Sequence, residues 1–311
     1  MKSWKEYFNR DSYAFNQAKQ IGLAYLFLLP TLVIMGTFLF YPMIRSVFLA
    51  FWDYTPLSPN NKFVGLENFQ RLIHDAAFWA ALKNSLLYLL CVPAIIVLSL
   101  ALSLLVEPKI PFINFFRAAY YLPVVTMMVV VALVWKQIFN TDYGLLNSLL
   151  MKTGIISEGI PWLTNSDIAL FTVMTVTIWK GLGYYMVIFI AGLRSIPPEL
   201  IEASMIDGCR AHQTLLHVKI PCLWPSITLV AVISSISALQ VFEEIYVMTQ
   251  GRLDTATLVF RIYDVGIWLQ HGGEQEMGYA CAMGIVLFLI VFAFTMVNIK
   301  LMGKLHSTGA K

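Results

Sequence analysis

The chain has little charge, few cysteines and few histidines for its length. Only 13% of its 311 residues are Asp, Glu, Lys or Arg, against 59% apolar, too few to give a soluble fold of this size a solvated surface. The four cysteines, Cys91, Cys209, Cys222 and Cys281, include no Cys-x-x-Cys pair and read as small buried hydrophobes. His212 and His217 stand five apart, and no Cys/His/Asp cluster has metal-ligand spacing, so no metal is expected. A Gly-x-x-x-x-Gly-Lys-Ser/Thr loop is absent, which excludes ATP binding of the usual phosphate-loop kind. The formal charge is only +3, and the basic residues are scattered at the ends of apolar runs rather than gathered into a stripe. This excludes nucleic acid as a partner and points to lipid headgroups.

What the chain does hold is long apolar runs, with a mean hydropathy of +0.72. Windows at about 21–43, 84–106, 118–139, 168–193, 223–246 and 278–302 are each long enough to cross roughly 30 Å of hydrocarbon as helices. The expected fold class is an all-α integral membrane protein with six transmembrane helices. The connecting stretches, roughly 44–83, 140–167 and 247–277, are short for independent cores, so one membrane domain is expected over 21–302, with tails at 1–20 and 303–311. The first tail carries Lys2, Lys5, Arg10 and Lys19 without a cleavage site behind a short apolar run, and reads as a retained cytoplasmic segment. With that end inside, twelve of the Lys and Arg residues fall on the cytoplasmic side, Lys109, Arg117, Arg194, Arg210, Lys219, Lys300, Lys304 and Lys311 among them. Eight fall outside: Arg45, Lys62, Arg71, Lys83, Lys136, Lys152, Arg252 and Arg261. The lean is modest, but it places both termini and the 194–221 loop in the cytoplasm.

That loop is the most informative stretch. Pro197 and Pro198 suit the first turn of a helix, where a missing N–H costs nothing, and Glu199 and Glu202 sit near its positive end. Gly208 is expected to break the helix. Ala203 and Ser204 are small enough to admit a partner surface, with Leu200, Ile201 and Ile206 around them. A second short helix from about Arg210 to Lys219 is expected to end at Pro221, which makes a helix-turn-helix elbow.

Glu202-Ala203-Ser204, three residues, Gly208, nine residues, then Val218-Lys219-Ile220-Pro221 resembles the loop motif of ATP-binding-cassette (ABC) importer permeases, with Ser204 where a second Ala is usual. The resemblance implies that this loop is the coupling helix, with Glu202, Ala203, Ser204, Asp207, Gly208 and Pro221 as its ATPase-coupling residues. It extends to the loop Phe63-Val64-Gly65-Leu66-Glu67-Asn68-Phe69 and to Asn84-Ser85, Tyr121-Leu122-Pro123, Trp135, Gly144 and Asn147, which are similar to carbohydrate-type permeases. Gly251-Arg252-Leu253 departs from the family's Gly-Gly-Pro turn, while Thr257-Leu258 and Tyr263 fit. The family's docking of a solute-binding protein and a plain connector are equal readings of that loop.

Polar groups within spans are costly unless they face protein or water. The fourth window offers Trp179, Lys180, Gly181, Gly183, Tyr184 and Tyr185, and the fifth Ser234, Ser235, Ser237, Gln240, Phe242, Glu243 and Glu244. Aromatic faces beside hydroxyl, amide and carboxyl groups suit a sugar or polyol, which gives Trp179, Gly181, Tyr185, Ser237, Gln240, Phe242 and Glu243 as the candidate substrate path. Close helix packing accounts equally well for the glycines and serines. An interfacial belt accounts for the tyrosines, snorkelling for Lys180, and solvation at the span's outer end for the two glutamates. The family's cavity lies between the spans flanking the coupling loop, and this favours Tyr185, Gln240 and Glu243.

The resemblance therefore implies one transmembrane subunit of a binding-protein-dependent ABC importer of the carbohydrate class, with a type I importer fold, in a bacterial cytoplasmic (inner) membrane. It is no enzyme. It implies a second permease subunit, commonly a different chain, two ATP-binding subunits that hold ATP and Mg, and an extracytoplasmic solute-binding protein. No cofactor is expected on this chain. The rivals are an importer of glycerol phosphate, a compatible solute or a peptide, and an ion-coupled secondary transporter. The latter calls for inverted repeats and intramembrane carboxylates that are not convincingly present. A membrane-embedded enzyme would need a His/Asp/Glu constellation inside the spans.

Overall fold

The computed structural model describes residues 4–56, 61–106, 112–268 and 275–309, with side chains between residues 20 and 300 apart from Asn114. Lys109 and the outermost residues of both expected tails, 1–3 and 310–311, lie outside the described residues. Helices dominate, as the apolar runs require, and two two-residue strands, Trp52–Asp53 and Lys62–Phe63, pair antiparallel in the loop after the first span.

Among the described residues, five helices are long and apolar enough to cross a membrane: Gln20–Leu49, Ala76–Val106, Ser166–Arg194, Trp224–Met248 and Met277–Lys300. The third expected span is not one rod. Phe115–Val125 and Met128–Ile138 meet at 99°, because Thr126 and Met127 leave the helix with ψ of 136° and 135°, three residues after Pro123. Six crossings result if this bent pair counts as one. The backbone helix Trp4–Met35 runs from the expected tail straight into the first span, so the described part of the tail continues that span's helix. That span stands clear of the rest, with Phe27 and Phe38 76% and 78% exposed, and only its last segment, Tyr41–Leu49, leans on the sixth span.

The fourth span is the spine. It packs on the second, the fifth and the first limb of the bent pair, and Val173, Val176, Met186 and Phe189 are fully buried along it. Gly183 makes the closest approach, since a Cβ there would overlap the Tyr120 carbonyl oxygen and crowd the Tyr121 Cα at 3.1 Å. Small residues at such contacts let backbones meet where no water exists to drive helices together. At the end beside residue 112, Arg117 donates from Nη2 to the Val106 carbonyl (2.8 Å), a cation on one of the last, unpaired carbonyls of the second span.

At the opposite end, asparagines staple the loops. Asn68 Nδ2 donates to the Ala50 and Trp52 carbonyls (2.9 and 3.0 Å). Asn84 Nδ2 reaches the Asp254 and Ala256 carbonyls, and Ser85 Oγ accepts from the Leu258 N–H (2.9 Å). Fully buried Asn147 donates to the Thr141 and Ile160 carbonyls (3.1 and 2.9 Å) and accepts from the Trp162 indole N–H (2.8 Å). These residues carried the resemblance in sequence, and their structural role is to satisfy backbone groups in loops.

Asp75 ties the second span to the sixth. Its Oδ1 accepts from the Ala77 N–H (2.9 Å), capping the helix, and its Oδ2 accepts from the Tyr279 hydroxyl (2.7 Å). Arg261 stands 4.0 Å away, while Arg71 pairs with Glu276 at 2.9 Å and lies over the Tyr279 ring. Burial works against the charged carboxyl, but the Tyr279 hydroxyl, the Phe78 and Ala77 N–H groups and Arg261 outweigh it and hold Asp75 below its usual range. A depressed folded-state value means stabilisation that is present above the ordinary carboxylate value of about 4 and lost as pH falls through the folded value. Asp75→Asn is therefore expected to lower the thermal unfolding midpoint in detergent at pH 7, and the gap to the parent protein should close on acidification below about pH 4. A gap that does not change with pH would assign Asp75 a purely steric role.

Candidate functional site

The elbow forms as a helix, Pro198–Ile206, closed by a left-handed glycine. Gly208 has φ of +80°, its N–H donates to the Met205 carbonyl (3.1 Å), and the Cys209 N–H donates to the Ser204 carbonyl (3.0 Å). This is the Schellman arrangement that ends a helix sharply. Glu202, Ala203, Asp207 and Gly208 are exposed, as are Met205 and Ile206, the latter by 86%. Ser204 corrects the sequence expectation. It is buried, and its hydroxyl donates to the Ile201 carbonyl (2.7 Å) and meets the Thr214 hydroxyl at 3.1 Å. It therefore pins the two limbs of the elbow rather than admitting a partner. Pro221 is the second correction. The return limb passes from Ala211–Thr214 through a π-turn, Leu215–Lys219, into Ile220–Cys222, and Pro221 sits in a first turn, where it needs no N–H partner, so it does not stop the chain.

The spans on either side of this elbow enclose a cavity of about 660 Å³. The fourth span contributes Thr177, Lys180, Gly181, Tyr184 and Tyr185, and the fifth contributes Ser234, Ser237, Gln240, Phe242, Glu243 and Glu244, with Cys91, Ile95, Val124 and Met128 behind them. Gly181, Tyr185, Ser237, Gln240, Phe242 and Glu243 of the expected path thus meet on one cavity. Trp179 does not. The cavity face of the fourth span is 177, 180, 181 and 184, the three- and four-residue spacing of one helix face, and Trp179 lies off it. Its ring packs edge-on to Trp135 at 5.3 Å, which stacks on Phe139 at 5.2 Å.

The cavity lies at a break in the fifth span. Helix Trp224–Leu239 ends, Gln240–Phe242 are unwound, and helix Glu243–Met248 follows, where a single span over 223–246 was expected. The freed Val241 carbonyl accepts from the Thr257 hydroxyl (2.9 Å), and Lys136 Nζ donates to the Val247 carbonyl (3.1 Å). Non-helical backbone at membrane depth persists only where it is buried in protein or lines a polar cavity. Ser234 and Ser235 turn their hydroxyls back to the Val230 and Ala231 carbonyls (both 2.6 Å), the packing reading of these residues.

Sequence reasoning named Glu244 among the polar groups of the fifth window but left it off the candidate path, and it did not name Thr177. The Thr177 hydroxyl donates to Glu244 Oε1 (3.2 Å) and meets the Tyr88 hydroxyl at 3.2 Å. The signal was available: Thr177 stands one helical turn before Lys180 and Gly181, on their face. No group of three or more His, Cys, Asp or Glu suited to a metal occurs among the described residues.

Residues 76–300 match the family described as binding-protein-dependent transport system inner membrane component. The chain is 34% identical to a probable ABC transporter permease protein of Pyrococcus horikoshii, over 85% of this chain and 90% of that protein. It is 32% identical to the lactose transport system permease protein LacF of Rhizobium radiobacter, over 86% and 89%. In fold it resembles a chain of a bacterial ABC transporter involved in import of the acidic polysaccharide alginate, with a TM-score of 0.81 at 24% identity over 94% of this chain and 99% of that one.

Proposed function

We propose, for a chain that belongs to the binding-protein-dependent transport system inner membrane components, that it carries a sugar or sugar-like polyol inward through the cavity between its fourth and fifth spans. The carrying observation is connectivity. The two spans that line the cavity are the two that leave the elbow, joined to it by three non-helical residues, 195–197, on one side and by the single turn residue Leu223 on the other, so a push on the exposed elbow face reaches the cavity through short connections. The chain itself is a transport component and not an enzyme. Energy comes from two ATP-binding subunits that hold ATP and Mg and dock on Glu202, Ala203, Asp207 and Gly208.

A second permease subunit, a related but different chain, completes the pore beside the exposed first span. A solute-binding protein delivers cargo at the end where Asn84 and Asn147 staple the loops. Both termini and the elbow lie in the cytoplasm, with the membrane domain over 21–302. The names of relatives such as the lactose permease protein support the sugar class. So does the cavity, where Tyr185 and Phe242 offer ring faces and Ser237, Gln240 and Glu243 offer hydrogen-bonding groups. Lys180 in the same wall is the observation behind a second reading, an anionic cargo such as glycerol phosphate.

Uptake of radiolabelled sugars, polyols and glycerol phosphate by cells with and without this gene tests the proposal, with ATP depletion as the second axis. One ATP-dependent uptake lost with the gene is the expected result. Uptake that survives ATP depletion and collapses with the ion gradient would move the chain to ion-coupled transport. Gln240→Ala should cut that uptake about tenfold or more while the assembled complex is retained, because a buried polar contact to cargo is worth about 1–3 kcal/mol. Unchanged uptake would make Gln240 a residue of the helix break only.

A further inference from the structure

Glu244 has a place in the cavity wall that packing does not explain. It follows the unwound Gln240–Phe242 segment, its Oε1 accepts from Thr177, and Thr177 is in turn met by Tyr88, so the carboxyl is oriented from the far side while it lines the cavity. Glu243 lines the same space, and Lys180 is the one cation among the cavity residues. Lys180 and Glu243 both lie within electrostatic reach of Glu244. Yet the ion pairs seen within 4.0 Å join Arg71 to Glu276 and Arg261 to Asp75 and Asp264, and none of these includes Lys180, Glu243 or Glu244. The cavity charges are therefore not spent on one another. With both glutamates ionised, two carboxylates against one ammonium leave the wall with an excess of one negative charge, in a region where charge is only partly screened.

We propose that Glu244 is a specificity-determining residue that makes the cavity accept hydroxyl-rich cargo without net negative charge and reject acidic sugars and phosphate esters. The inference rests on the cavity being the cargo path. Cargo hydroxyls donate to the free lone pairs of Glu244, which Thr177 holds in position, and Lys180 donates to acceptor oxygens on the same molecule. A uronate or a phosphate would satisfy Lys180 but face both glutamates, and like charges set together in a partly screened site cost more than one hydrogen bond returns.

The test reads the charge of the cavity without knowing the cargo. In the assembled importer reconstituted in vesicles, Ser237→Cys places a thiol on the wall. Its modification by a cationic ammonium and an anionic sulfonate methanethiosulfonate reagent of similar size is followed by peptide mass spectrometry. The cationic reagent should react about tenfold faster, the scale of one unit charge a few ångströms away in a partly screened site. Glu244→Gln should bring the two rates to near parity, and Glu244→Asp should keep the preference. Equal rates with Glu244 intact, or a preference that Glu244→Gln leaves unchanged, overturns the inference while the cavity stands. A thiol that neither reagent reaches overturns the cavity as a path, and the inference with it.

Discussion

Gly208→Val is expected to abolish ATP-dependent uptake while the chain remains inserted at its normal level. The elbow helix ends because Gly208 takes φ of +80°, and its N–H and that of Cys209 close the last turn on Met205 and Ser204. A Cβ at position 208 would meet nothing within 4 Å, so the penalty comes wholly from the backbone. A residue with a Cβ in the left-handed region costs about 1–2 kcal/mol, and β-branching raises this. The cost falls on a surface turn, not on the core, so insertion and span packing survive. What changes is the direction in which the return limb leaves the helix, and with it the Ser204–Thr214 contact that pins the two limbs. Measuring uptake beside the amount of chain in the membrane decides the matter. Gly208→Asn is the control, since asparagine visits the left-handed region more readily, and it should retain measurable uptake. Wild-type uptake by Gly208→Val would remove the elbow from the coupling mechanism.

Gly183→Ala is expected to fail earlier, at folding. Its added methyl would overlap the Tyr120 carbonyl oxygen, with the Tyr121 Cα at 3.1 Å, so two backbones must separate along the spine of the bundle. Overpacking of this kind costs about 1–3 kcal/mol. Here it also pushes on the limb that leads to the 99° bend, which sets Val124 and Met128 against the cavity. The expected readout is a sharply lowered yield of monodisperse protein in detergent and a thermal midpoint several degrees below the parent. Gly181→Ala, two residues away, is the contrast. Its nearest neighbour is the Tyr185 ring at 3.2 Å, a side chain that can shift, so the fold should survive and any loss should appear in uptake. Equal stability of the two variants would show that the contact at position 183 does not hold the fourth span in place.

The elbow was legible because its rules are local. Prolines in a first turn, a glycine at the end and fixed spacing to the next apolar run act within a few residues of chain. Of the two misreadings there, that of Ser204 arose because a small residue on a helix looks the same whether it faces a partner or the other limb. Its orientation is set by Thr214, ten residues on. In the fourth span the residue types pointed to the right window, but helical phase decides which of them share a face. Trp179 was chosen on chemistry alone, whereas Thr177, a plain threonine, holds Glu244.

By itself the sequence determined that the chain lives in a membrane, how many apolar segments it has, where the elbow turns and which family it belongs to. Each of these follows from apolar length or from a short motif, and no distant contact is needed to read them. Only the tertiary structure decided that the third span bends and that the fifth opens at Gln240–Phe242, with Glu244 on the cavity wall. No glycine or proline lies between Pro225 and Gly251 to announce that break. A side chain far along the chain takes up part of what the helix gives away there, the Thr257 hydroxyl on the Val241 carbonyl, while Thr177 holds the Glu244 carboxyl that follows. In an apolar surround an unpaired backbone group costs several kcal/mol, so an opening persists where such a partner and a polar cavity stand beside it.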